Sequence, residues 1–398
     1  MGETYRVADF IADFIEKIGV KNVFLLPGGG AMHLVDAVGK NSKIEVVACL
    51  HEQAAAISAE AYSRISENIG VAMVTTGPGA TNAITAVAGA WIESVPLMII
   101  SGQCKRSDML RDSPLRQKGV QEVDIVKMVN SITKFSKIVE NPLEIRSVLE
   151  EAYHIAKDGR AGPVWIDVPL DVQGAPVTLQ ELPAWINNNI SNTVTEVPNN
   201  QIEDIQNLIS NAERPLILAG HGIRLANASE SFKIWVEELG VPVVSTWNAL
   251  DLLPFDHPLY VGRPGVVALR GPNFAVQNCD LLISIGCRLD NIITAYNSKG
   301  FAREAKKVVV DVDSNEIDKL EMDIEISVVS DAGKFIDSIK NIKINISPNL
   351  KAWQATCNDW KTRYGVNEGK PFPSQGQISH YHLANSLSNN IPEETLIS

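Results

Sequence analysis

Cysteine is sparse in this 398-residue chain, and the five that occur (Cys49, Cys104, Cys279, Cys287, Cys357) lie far apart without a CxxC pair. That pattern speaks for a reducing, cytoplasmic setting. No apolar run reaches the roughly 20 residues a membrane span needs, and the opening MGETYRVADF lacks the basic and apolar regions of a secretion signal. Neither a membrane nor an export route is expected. Lys/Arg-rich blocks are absent too, and 47 acidic residues against 35 basic ones give a net charge of −12. Nucleic acid is not an expected partner. No Walker motif, HExxH or GxSxG occurs, and His380-x-His382 alone reads as surface rather than as a metal site.

What is present is ordinary globular composition, 45% apolar and 21% charged, at a length suited to two or three domains. From residue 4 to about 175, amphipathic helical patterns alternate with short apolar runs: helix 6–18, strand 23–26, strand 44–50, an Ala-rich helix from Glu52, then strands 71–74, 97–100 and 164–169. Strands so continuously apolar belong to a parallel sheet covered by helices on both faces, an α/β fold. Residues 176–200, rich in Asn and Pro, read as a linker. A second βα series fills 201–343, with strands at 215–219, 243–245, 281–285 and 308–312. Residues 344–376 read as a second linker with one helix, and 377–398 as a helix, a Pro turn and the opening of a strand that stops at Ser398.

The strongest local signal for chemistry is Glu52, at a strand end running into a helix. Alone, a Glu there is a carboxylate suited to the helix dipole. It lies between two Gly turns, however, Pro27-Gly28-Gly29-Gly30 and Thr75-Thr76-Gly77-Pro78-Gly79. In an open parallel sheet such turns converge on one crevice at the C-terminal strand ends, where ligands bind. The dinucleotide pattern GxGxxG fails at 28–33, 77–82 and 220–225, which end in His, Asn and Leu.

The runs PGGGAMH (27–33), HEQAAAISAEAYSR (51–64), TTGPGATNAITAVAGAW (75–91), PLMIISGQ (96–103), RQKGVQEVDIV (116–126) and GPVWIDVPLDVQG (162–174) resemble the thiamine-diphosphate enzymes of the acetolactate synthase group. The likeness is to the large-subunit-like members of surface-polysaccharide loci and continues through NFAVQN (273–278) to Asp311 and Asp313. It implies a pyrimidine-binding domain at 1–175, a central domain at 201–343, and a diphosphate-binding domain truncated at its start.

The family's chemistry is decarboxylation and carboligation of a 2-oxo acid such as pyruvate through a C2 ylid of thiamine diphosphate. By resemblance Glu52 is the carboxyl group that hydrogen-bonds the aminopyrimidine, preceded by His51, and Gln121 is a polar residue on the substrate side. Thr76, Pro78 and Asn82 match pyrimidine-contact positions, and Pro27, Gly28 and Gly29 match the lining near C2. Gly220, Gly222, Arg288, Asp290 and Asp311 resemble positions that face FAD in true synthases, with a purely structural role as the alternative. Three departures stand out: Val120 where synthases have Phe, Leu170 where they have Lys, and no Met-His-Gly at 262–266. The resemblance further implies a homodimer or tetramer, and Mg²⁺ ligands in the third domain, since no GDG motif occurs here and this chain holds no metal site of its own. The chain is therefore expected to be inactive alone, or to be a split subunit completed by a separate diphosphate-domain chain.

Overall fold

A computed structural model describes residues 4–187 and 196–392, together with Thr395. The chain divides into two compact units, Met1–Thr193 and Val194–Ser398. Among the described residues no helix is long and apolar enough to cross a membrane.

The first unit contains strands β1 (Thr4–Arg6), β2 (Asn22–Leu25), β3 (Glu45–Ala48), β4 (Gly70–Val74), β5 (Leu97–Gln103), β6 (Phe135–Ile138), β7 (Val164–Pro169) and β8 (Pro176–Thr178). Six of them form one parallel sheet in the order β3-β2-β4-β5-β7-β6. Alternate residues of each central strand feed opposite faces, as the two-residue period of a strand requires. Val71, Met73, Met98, Ile100 and Ile166 join a core with Ile11, Leu34 and Leu149. Ala72, Val74, Leu97, Ile99 and Trp165 join a second with Ala56, Ala59 and Val87. Each large side chain so buried contributes about 1.5–3 kcal/mol. The Ala-rich helix Glu52–Ser66 approaches β4 so closely that a Cβ on Gly70 would stand 1.8 Å from the Ala59 carbonyl oxygen.

Residues 176–182, expected to begin a linker, instead complete this unit. β8 pairs antiparallel with β1, Tyr5 opposite Val177, and both Val177 and Leu182 are buried in the first core. Asn188 and Asn189 of the Asn-rich run lie outside the described residues. After β4 come two short helices, Pro78–Asn82 and Ile84–Glu93, separated by the single turn residue Ala83.

The second unit repeats the architecture with β9 (Pro215–Ala219), β10 (Val243–Ser245), β11 (Tyr260–Gly262), β12 (Leu281–Ile285), β13 (Lys306–Asp311) and β14 (Ile326–Val329), all parallel in the order β11-β10-β9-β12-β13-β14. Trp235 meets Phe335 edge to face, ring centroids 6.3 Å apart, where helices Ser229–Leu239 and Ala332–Ile339 pack. The helix in the expected second linker, Leu350–Arg363, is part of this unit. It buries Leu350, Trp353 and Cys357 in the same core, and Trp353 Nε1 donates to the Pro215 carbonyl at 2.9 Å. The helix expected at 377–389 occurs as His380–Asn390 and buries none of its side chains. The strand expected at the end of the chain falls largely on Leu396, Ile397 and Ser398, outside the described residues.

Candidate active site

Strand order in the first sheet reverses between β2 and β4: the chain runs outward from β2 to β3, then returns to β4 and proceeds the other way. At such a reversal the turns after β2 and β4 run to opposite sides of the C-terminal edge, the place where ligands bind in open parallel sheets. The first carries Pro27, Gly28 and Gly29; the second carries Thr76, Pro78 and, at the end of its helix, Asn82. Gly30 N donates to Thr75 Oγ1 at 3.1 Å, and a Cβ on Gly28 would come within 2.5 Å of the Thr75 side chain. The two turns are thus in contact at their bases.

Glu52 opens the helix that follows β3, with His51 as its N-cap, the His51 Nδ1 accepting from Gln53 N at 3.1 Å. His51 is exposed, whereas Glu52 is 8% exposed. Asn82 Nδ2 donates to Glu52 Oε2 at 2.9 Å, so the segments after β3 and β4 bring a carboxylate and an amide partner together. The other oxygen, Oε1, lies 3.1 Å from where a Cβ on Gly79 would be. Thr76 Oγ1 is buried beside these turns with no hydrogen-bond partner among the described residues. Gln121, from the loop after β5, is exposed and its carbonyl oxygen would stand 1.8 Å from a Cβ on Gly77. Among the described residues no cluster of three His, Cys, Asp or Glu side chains could hold a metal ion.

Three supports were not legible as site residues. Gln173, fully buried, donates through Nε2 to the carbonyls of Gly30 (2.7 Å) and Val168 (2.8 Å), fixing the first turn from beneath. Gly102 brings β5 against that turn, since a Cβ there would be 2.0 Å from the Gly30 oxygen. Asp167, on β7, accepts from Ser101 Oγ at 2.5 Å and Gln103 Nε2 at 3.0 Å, and Trp165 Nε1 donates to Ser101 Oγ at 2.8 Å. Gln173 ends the short helix Leu170–Gln173 and Asp167 lies within β7, between β5 and β6, positions that no local spacing marks.

Burial pushes the Asp167 carboxyl up to about 7, against the lowering effect of its two hydrogen bonds. The folded chain then holds this proton more tightly than the unfolded one, whose Asp titrates near ~4. Stability from this group is complete below ~4 and is lost as pH rises towards 7, with a slope of at most about 1.4 kcal/mol per pH unit. Urea unfolding of the wild type and of Asp167→Asn across pH 4–8 checks this: the variant should lack that component, and parallel profiles would refute it.

Residues 5–128 match the family described as thiamine pyrophosphate enzyme, N-terminal TPP binding domain, and residues 202–339 match thiamine pyrophosphate enzyme, central domain. This chain belongs to the thiamine pyrophosphate enzymes. It is 35% identical over 366 residues to the acetolactate synthase large subunit of Corynebacterium glutamicum, covering 90% of this chain and 56% of that protein. It is 31% identical to the Lactococcus lactis large subunit (93% and 62%) and 31% identical to the Escherichia coli isozyme 1 large subunit (98% and 66%). The chain spans between about half and two thirds of the length of these thiamine pyrophosphate enzymes.

The central domain of this thiamine pyrophosphate enzyme has its own reversal, between β9 and β12. Gly220 and Gly222 follow β9 and pack on Gly286 after β12; a Cβ on Gly220 would be 2.0 Å from the Gly286 oxygen. Asp290 Oδ1 accepts from Ile292 N (3.0 Å) and Ile293 N (3.1 Å), and Asp311 Oδ1 from Asp313 N (3.0 Å). Each of these carboxylates accepts from its own loop, and Arg288 stands two residues before Asp290 in the chain. Arg263 lies over the Trp247 ring at 4.9 Å.

Proposed function

We propose that this chain supplies the pyrimidine-binding and central domains of a thiamine-diphosphate-dependent decarboxylase or carboligase acting on a 2-oxo acid such as pyruvate. The observation that carries this reading is the buried Glu52 carboxylate, held through one oxygen by Asn82 at the reversal point of the first sheet. The surroundings fit an aminopyrimidine ring: a buried hydroxyl, Thr76 Oγ1, has no hydrogen-bond partner among the described residues, and Gly79 keeps the space before Glu52 Oε1 free of a side chain.

Thiamine diphosphate, when bound, would supply a nucleophilic carbon for the substrate carbonyl and a cationic ring to take up the electron pair left behind as CO₂ departs. Glu52 holds a proton at its free oxygen against a ring nitrogen, and its burial keeps competing water away. Asn82 fixes the orientation of the carboxylate, and Pro78 opens the short helix that carries Asn82. Pro27, Gly28 and Gly29 offer backbone with little side-chain bulk, as close approach of a ligand requires, and His51 holds the start of the Glu52 helix. Gln121 stands at the entrance, on the substrate side.

The diphosphate and its Mg²⁺ are assigned to a further domain, in the same polypeptide or in a separate chain. Leu50, 99% exposed, lies two residues before Glu52, and Val120, 81% exposed, precedes Gln121; exposed apolar side chains at these positions suit a partner subunit. The reading needs no flavin; Asp290 and Asp311 each accept from backbone amides of their own loops.

The test supplies thiamine diphosphate, Mg²⁺ and pyruvate to the 398-residue chain alone and to the chain completed with a diphosphate-binding domain. CO₂ release is expected only from the completed protein. Release by the chain alone would overturn the division of labour. A completed protein that binds the cofactor but decarboxylates no 2-oxo acid would overturn the reaction class.

A further inference from the structure

Between the end of β5 at Gln103 and the helix Ile125–Val129 runs a loop, 104–124, regular only in the single turn Arg106–Asp108. A strand-to-helix connection in a parallel sheet usually takes about 2–6 residues, and one this long is uncommon unless it serves a site.

Two side chains hold it. Gln103 joins its ends: Nε2 donates to the Val123 carbonyl at 3.0 Å and Oε1 accepts from Cys104 N at 2.9 Å. The same Nε2 donates to Asp167, which ties the pair to the buried Ser101 and Trp165. Glu122 joins the middle of the loop to its end: Oε1 accepts from Leu110 N, and Oε2 from Gly119 N at 2.8 Å and Lys118 N at 3.3 Å. Arg106 adds an outer tie, Nε to Asp171 at 2.7 Å and Nη1 to the Glu140 carbonyl at 2.8 Å. Gln121, next to Glu122, adopts φ +56° with its carbonyl against Gly77, on the turn that carries Thr76, Pro78 and Asn82.

We propose that Glu122 and Gln103 are positioning residues that hold loop 104–124 as a fixed wall of the site and thereby set Gln121 at the substrate entrance. Glu122 bonds backbone amides on both of its oxygens, so its role depends on two acceptors rather than on volume. Glu122→Gln, the same size, keeps one acceptor and sets an amide N–H against the other donors. Glu122→Asp keeps both acceptors. The assignment of Gln121 to the substrate side rests on the proposed function; the staple itself does not.

Two measurements separate them. In the 398-residue chain, without cofactor or substrate, hydrogen exchange in peptides covering 104–121 should quicken about tenfold or more in Glu122→Gln, while β4 and β5 keep wild-type protection. In the completed enzyme, Glu122→Gln should raise KM for the 2-oxo acid about tenfold, leave C2 proton exchange of thiamine diphosphate unchanged, and be largely rescued by Glu122→Asp. Unchanged exchange in 104–121, or loss of protection throughout the unit, would overturn the staple. A KM that does not move although the loop is released would overturn its role in positioning. Absence of C2 proton exchange even in the wild type would instead refute the proposed function and leave the exchange result on the loop standing.

Discussion

Glu52→Gln is expected to reduce C2 proton exchange of thiamine diphosphate in the completed enzyme by about 10²–10⁴-fold, the range for removing a positioned acid–base group. Glu52 is one of few carboxylates among the buried residues, and Asn82 already occupies one of its oxygens. Gln in its place retains shape and the Asn82 contact through its carbonyl, but offers a permanently neutral amide at the free position. Affinity for the cofactor, measured separately by calorimetry, should fall far less than exchange does, because the proposed diphosphate anchor belongs to a further domain. Proton exchange followed by NMR at saturating cofactor decides the matter: a wild-type rate in the variant would remove Glu52 from the role assigned to it.

The second large effect belongs to Gly77. Its φ of +63° and ψ of −118° fall where L-residues pay for their Cβ, about 1–3 kcal/mol for such backbone alone. The added methyl group would also overlap the Gln121 carbonyl at 1.8 Å, backbone that moves only with its loop. Gly77→Ala should therefore lower the urea midpoint by more than the conformational cost, and quicken exchange in loop 104–124. Gly29→Ala is the contrast, since nothing lies within 4 Å of a Cβ there; its stability should change by no more than about 0.5 kcal/mol. Equal stability losses in the two variants would mean that the contact between Gly77 and Gln121 does not hold the turn.

The legibility of the fold followed burial. β7, β9, β10 and β12 lie where their sequences put them, because strands covered on both faces are unbroken apolar runs. The edge strands β6, β11 and β14 left weak marks: Phe135–Ile138 is only half-buried and includes Ser and Lys, Tyr260–Gly262 is three residues ending in Gly, and Ile326–Val329 has one buried position. β1 and β8 were equally quiet, each three residues long, and their pairing depends on a partner some 170 positions away. In the site, the meeting of Glu52 and Asn82 followed from the convergence of strand-end turns. The supports from Gln173, Gly102 and Gln103 did not, since each acts on backbone atoms of a distant segment, and Glu122 acts within an irregular loop whose turns follow no periodic spacing.

The ribbon of β1 and β8 bears on how the first unit is made. Joining Thr4–Arg6 to Pro176–Thr178 closes the longest loop in that unit, and the entropy of closure grows with the logarithm of its length. During synthesis, at about 5–20 residues per second, the N-terminal strand waits several seconds or more for its partner to emerge. Until then the core surface that Val177 and Leu182 cover stays open to water, and the nascent unit remains a binding target for chaperones.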